Sequence, residues 1–271
     1  MLSGAVSSAL AVDVDPLRLE LTGAPGQTVT GTLVLTNRGT NAVRVTAQSG
    51  PYRYLFTAQT IPPDDPAAQR LPSCEPWLTA AAPDDPVAAG ATVALPYTVT
   101  IPENTGQQAV AEYVAALVID DQPADPGPTP SSERAPGAGT ITIRPRIAIP
   151  VYLFLAGHEA PQGRIAAFQA DAGPQPGVVR LRLTLANDGP VHVRPNGSVL
   201  VSDSQGAVIA RLPLGRIIPV FPRFQERVPL LLPLGPGRYT AVATVDAGGQ
   251  EPLQQMVTFE VSRDGRVDDN I

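Results

Sequence analysis

The sequence predicts an all-β chain folded as two tandem immunoglobulin-like β-sandwiches. Three observations carry the prediction. Apolar residues recur at every second position through much of the chain, which is the period of a half-buried strand. Of 271 residues 31 are Pro, about twice the ordinary usage of ~5%, and Pro inside a helix costs about 3 kcal/mol. One strand–turn–strand pattern also occurs twice along the chain. With 43% hydrophobic and 16% charged residues, the chain has enough apolar surface to build cores and does not read as disordered.

Met1 to Ala11 is small and apolar and ends in Ala9-Leu10-Ala11, a pattern like a signal-peptidase site. We read it as the end of a secretion signal without a basic start, the mature chain then beginning at Val12 or Asp13. The alternating series follow in order: Val29 to Leu35, Val43 to Ala47, Val93 to Ile101, Tyr113 to Ile119, Val179 to Leu185 and Tyr239 to Val245. Gly31 to Val45 resembles Arg180 to Val193. In each, a strand ends at Asn-x-Gly (Asn37-Gly39, Asn187-Gly189) and a second strand follows. This spacing predicts a hairpin-like connection in which Asn and Gly take positive φ. Val93 to Ile119 and Arg227 to Val245 form a second such pair, each with a strand opening on Tyr after a Pro/Gly turn. The expected organisation is a possible signal remnant at 1–11, an N-terminal sandwich at 12–156, a C-terminal sandwich at 163–262 and a polar tail at 263–271. Within the first sandwich, residues 120–139 hold five Pro and little to bury, and predict a flexible loop.

The segment after that loop is the most ordered pattern in the chain. Ile141, Ile143, Pro145, Ile147, Ile149, Val151, Leu153 and Leu155 hold the odd positions, and Thr, Arg, Ala, Pro, Tyr and Phe the even ones. Alternation over about fifteen residues spans about 50 Å, far beyond a usual strand of five or six residues. Pro145 and Pro150 cannot donate ladder bonds and favour an edge.

Composition excludes much chemistry. A net charge of −6 opposes general nucleic-acid binding. The single Cys74 allows no internal disulfide and no Cys-based zinc site. His158 and His192 stand apart, Lys is absent, and no apolar run reaches a membrane-spanning length. Cys74 is expected to be a small, partly buried thiol and Trp77 to pack on the first core. Paired acidic residues at Asp64-Asp65, Asp84-Asp85 and Asp120-Asp121 adjoin turns rather than forming a calcium loop. No catalytic motif, metal site or cofactor site is expected, and the chain does not read as an enzyme.

Two family resemblances attach to these residues. Asp15 to Leu21, with Arg18, and Arg144 to Ile149, following a flexible loop, resemble PapD-like periplasmic pilus-assembly chaperones. That resemblance implies two immunoglobulin-like domains and a last strand of domain 1 lent to a pilus subunit. It implies that Ile141, Ile143, Ile147 and Ile149 are the lent side chains. It further implies that Arg18 and a second base, Arg144 or Arg146, hold the subunit's C-terminal carboxylate; Ala148 falls where that family has Lys. Pro25 to Gly39, Pro76-Trp77, Val93 to Gly106 and Leu234 to Val245 resemble instead tandem-sandwich surface proteins that partner WxL proteins. That resemblance implies a structural or adhesive module binding cell wall or another surface protein. Both imply an exported protein, in the periplasm or on the cell surface, with a protein partner.

Overall fold

The computed structural model describes residues 12–53, 59–105, 110–125, 146–157, 161–215 and 218–269. The chain is all-β and divides into two compact units, each an immunoglobulin-like sandwich. The strands of the first unit are β1 (Val12–Asp15), β2 (Leu19–Gly23), β3 (Thr28–Asn37), β4 (Val43–Gly50), β6 (Leu78–Ala80), β7 (Thr92–Thr100), β8 (Glu112–Pro123) and β9 (Arg146–Leu155). A short strand, β5 (Thr60–Ile61), intervenes in sequence but belongs to the second unit. β8 runs to Pro123, so the first residues of the Pro-rich stretch are strand; residues 126–145 lie outside the described ones. So do 1–11, where the leader was expected.

The first unit stacks one sheet of order β1–β3–β7–β6 on another of order β2–β9–β8–β4. Alternation sorts the side chains. Leu33, Leu35, Leu95, Val99, Leu117, Ile149, Val151 and Leu153 are all fully buried between the sheets, each contributing roughly 1.5–3 kcal/mol. Gly31 interrupts the pattern for a packing reason: a Cβ there would meet the Tyr97 hydroxyl at 2.2 Å. Cys74 is fully buried, and burial pushes its thiol up to about 12, leaving it protonated and unreactive at neutral pH. Trp77 packs against this core, its ring 4.6 Å from that of Tyr113.

The second unit holds β10 (Gly163–Ala172), β11 (Val178–Asn187), β12 (Asn196–Asp203), β13 (Val208–Pro213), β14 (Gln225–Pro233), β15 (Gly237–Asp246), β16 (Leu253–Val261) and β17 (Val267–Asp268). Its sheets are β10–β11–β14–β5 and β13–β12–β15–β16–β17. Leu181, Leu183, Val199, Val201, Ala241, Ala243 and Phe259 fill the core. β5 extends the first of these sheets, Thr60 opposite Glu226 and Ile61 opposite Gln225. The Thr60 hydroxyl donates to Glu226 Oε2 at 2.7 Å, and the Arg227 amide donates to the Gln59 carbonyl at 3.0 Å.

The internal repeat is real in three dimensions, but its connections are not hairpins. β3 pairs with β7, and β4 with β8. Equivalently, β11 pairs with β14, and β12 with β15. Each Asn-x-Gly therefore carries the chain from one sheet to the other. Neither glycine takes positive φ. The buried asparagine does the work with its side chain instead. Asn37 donates to the carbonyls of Asn41 and Val87, both at 2.9 Å, and accepts from the Gly39 amide. Asn187 donates to Val191 and Val220, at 2.8 and 2.7 Å, and accepts from Gly189. The two motifs match bond for bond.

Candidate functional site

The candidate surface is the first half of β9. Over its whole length β9 pairs antiparallel with β8, from Arg146 opposite Asp120 to Phe154 opposite Glu112. On its other side β2 runs parallel to it, but only from Leu19 opposite Val151 to Gly23 opposite Leu155. Among the described residues, no strand covers the outer edge of 146–149. The chain reaches β2 from β1, which lies in the opposite sheet, so residues 16–18 leave the line of β2 as they lead away.

Backbone direction along β9 follows from two hydrogen bonds at its end. The Leu155 amide donates to Ala111 on the β8 side, and the Ala156 amide donates to Gly23 on the β2 side, both at 2.9 Å. Because backbone groups alternate along a strand, odd residues of β9 bond to β8. Even residues face β2, or the open edge where β2 is missing. Arg146 and Ala148 therefore present both N–H and C=O outward. Pro150 presents only C=O, and the register places the Leu19 amide on it. The proline costs β8 no bond, because its missing donor lies on the side where β2 begins.

Side chains split the same way. Odd residues point into the sandwich: Ile147 is half-buried against the core, Ile149 fully buried within it. Ile149 thus serves its own sandwich. Even residues point outward, with Arg146 and Ala148 exposed, Pro150 half-buried and Tyr152 buried. The Tyr152 ring meets that of Tyr52 edge-on at 5.8 Å, and their hydroxyls lie 3.3 Å apart.

Arg18 directly precedes β2. Glu20 pairs with Tyr152, and paired residues of parallel strands share a face, so Arg18 and Glu20 lie on the same outer face as Arg146. Arg18 Nε contacts Glu20 Oε1 at 2.9 Å, and Arg146 Nε contacts Asp120 Oδ1 at 2.6 Å. The arginine side chains remain 50% and 65% exposed; such pairs are worth under about 1 kcal/mol and yield readily to a better-placed anion. Burial, with the neighbouring charge of Asp120, raises the carboxyl of Asp121 above its ordinary range. Leu17, beside Arg18, is 63% exposed.

The structure thus brings Arg18, Arg146, Ile147 and Ile149 to one end of one sheet, on either side of the open edge. Ile141, Ile143 and Arg144 lie outside the described residues, as does His158. His192 is buried beside Phe221, ring centres 5.6 Å apart. Among the described residues no group of three or more His, Cys, Asp or Glu could hold a metal, and no helix is long and apolar enough to cross a membrane. Sequence reasoning missed the outward backbone of Ala148; its signal lay in which positions are odd and which are even along β9.

No protein-family model matches the chain, and no curated protein does. Solved structures do match in fold. The YadV chaperone is 13% identical, over 92% of this chain and 100% of that one, with a TM-score of 0.49. The likeness in fold is to chaperones of known structure. A structure of the Salmonella enterica SafA pilin in complex with the SafB chaperone matches at 14% identity, over 92% and 97% of the two chains, TM-score 0.47. The E. coli chaperone DraB matches at 11% identity, over 90% and 96%, TM-score 0.42. At such identities the likeness is one of fold.

Proposed function

We propose that this chain is a non-catalytic, exported chaperone of envelope proteins that pairs the open edge of β9 with the terminal strand of a protein partner, such as a pilus subunit. The observation that carries the reading is the half-covered β9. Backbone groups at Arg146 and Ala148 face outward, and the line they open onto ends at a cationic side chain, Arg18. Strand addition supplies affinity through such main-chain bonds. An exposed edge is otherwise a liability that proteins cover or blunt. Charge selects the direction: a strand parallel to β9 brings its C-terminal carboxylate toward Arg18, whereas an antiparallel one brings its ammonium. Ile147, half-buried, is the described apolar side chain with surface left to lend. Ile141, Ile143 and Arg144 continue the same alternation and charge in the sequence. Arg146, on the outer face, adds positive charge along the path.

The test uses the protein that co-purifies with the full chain from the envelope of its native host. Arg18→Glu is expected to weaken that complex at least thirtyfold by calorimetry, with the melting temperature unchanged, because a charge-assisted bond is replaced by repulsion. Unaltered affinity would remove Arg18 from the site. Binding to isolated cell wall that survives Arg18→Glu would favour an adhesive surface module instead.

A further inference from the structure

We infer that the outer edge of β14 is a second strand-accepting site, which the chain keeps filled with its own residues 59–61. The inference is independent of the reading of β9. In the first sandwich the sheet β1–β3–β7–β6 ends in β6, which the chain supplies from between β4 and β7. The internal repeat equates β7 with β14, so a strand from between β12 and β14 should flank β14. Among the described residues none does. β13 pairs with β12 in the other sheet. The described residues of 214–224 form no strand, only a single-residue bridge between Val220 and Val193. The line beside β14 is taken instead by β5, which lies between β4 and β6 in sequence yet belongs to the second unit.

Proline fixes the extent of this pairing. The Arg227 amide donates to the Gln59 carbonyl, whereas the Phe224 carbonyl accepts from the Asn187 amide of β11. Odd residues of β14 therefore face outward and even residues face β11. After Arg227 the next outward donor would be residue 229; after Ile61 the next donor toward β14 would be residue 63. Both are Pro and have no N–H. Pairing thus stops at residues 59–61 against 225–227. Within that window one side-chain contact adds selectivity. Glu226 is buried on the same face of β14 as Val228, and accepts from the Thr60 hydroxyl at 2.7 Å. An apolar residue in place of Thr60 would deprive this carboxylate of that donor. The edge therefore fits a short extended peptide segment with Ser or Thr at its centre. Residues 59–61 are each half-buried and pair over so short a length that they detach without unfolding the sandwich. A segment of that pattern from another protein binds where they leave.

Amide hydrogen exchange of the full chain in graded urea tests release. The outward Arg227 amide is expected to exchange about a hundredfold faster than that of Val228, which faces β11, through an opening that urea barely promotes. Equal rates with equal urea dependence would show residues 59–61 to be a fixed part of the core and overturn the inference. Binding is tested with a peptide of residues 58–63, Ala-Gln-Thr-Ile-Pro-Pro, added to an Ile61→Pro chain whose own segment has lost its donor. In that chain the Arg227 amide should exchange about tenfold faster than in the parent, and the peptide should slow it again. The same peptide carrying Thr60→Val should need about fivefold more to do so. No slowing by the first peptide would overturn the site. Thr60→Val in the full chain keeps every backbone bond and covers the case in which Ile61→Pro does not fold. It should speed Arg227 exchange about fivefold, and an unchanged rate would overturn the selectivity assigned to Glu226.

Discussion

Ala148→Pro is expected to abolish partner binding while leaving the first sandwich folded. The two effects separate because of where the Ala148 amide points. Even residues of β9 face away from β8, so the substitution removes no bond from the internal ladder. Pro150, two residues on, already occupies an equivalent outward position within the same strand. Ile147 before it is in extended conformation, as a residue preceding proline prefers. For an incoming strand the change is severe. It loses the donor to one of its carbonyls, and the pyrrolidine ring projects into the space its backbone would occupy. A carbonyl left without its donor costs about 1–3 kcal/mol, and the ring's clash adds to it, which together correspond to roughly a hundredfold loss of affinity. Calorimetry on the co-purifying partner and thermal melting of the free chain check both halves. The control is Ile149→Pro, whose lost amide faces β8; it is expected to unfold the domain rather than silence it.

The second large effect concerns the fold. Asn187→Ala should destabilise the second sandwich by about 3 kcal/mol. The side chain is fully buried and makes three hydrogen bonds. Val220 keeps the Val193 amide as a donor. The Val191 carbonyl and Gly189 amide lose the side-chain partner, and a buried group left unsatisfied costs about 1–3 kcal/mol. Asn187→Asp should be no better, because a carboxylate cannot donate to two carbonyls. Urea unfolding measured by tryptophan-independent circular dichroism, with Asn37→Ala as the matching change in the first sandwich, checks the equivalence. A loss below about 1 kcal/mol at both sites would refute the shared role.

Periodicity made the sandwiches legible, because a strand with one face in a core must alternate. It also located the long strand of domain 1, whose odd residues Val151, Leu153 and Leu155 line the core. It could not show how strands are connected. Asn-x-Gly reads as a turn from residue preferences, yet Asn37 and Asn187 act through buried amides on carbonyls distant in sequence, Val87 and Val220. β5 was equally silent: two residues without alternation pair with β14 across a long sequence separation, and no local pattern encodes that. β10 carries small residues at several positions, Ala166, Ala167 and Ala170, and a bulge near Ile165 breaks its period. At the candidate site, sequence supplied the residues but not the direction of their backbone. Whether Pro150 interrupts the β8 ladder or only the outer edge depends on one parity, fixed by the Leu155 and Ala156 bonds.

That parity makes amide hydrogen exchange of β9 the most direct measurement. In the free chain, the amides of Ile147 and Ile149, bonded to β8, should exchange slowly, and that of Ala148 fast. In the complex with the co-purifying partner, Ala148 should become protected at least a hundredfold while its odd-numbered neighbours change little. An Ala148 amide already slow in the free chain, or one still fast in the saturated complex, would contradict the account.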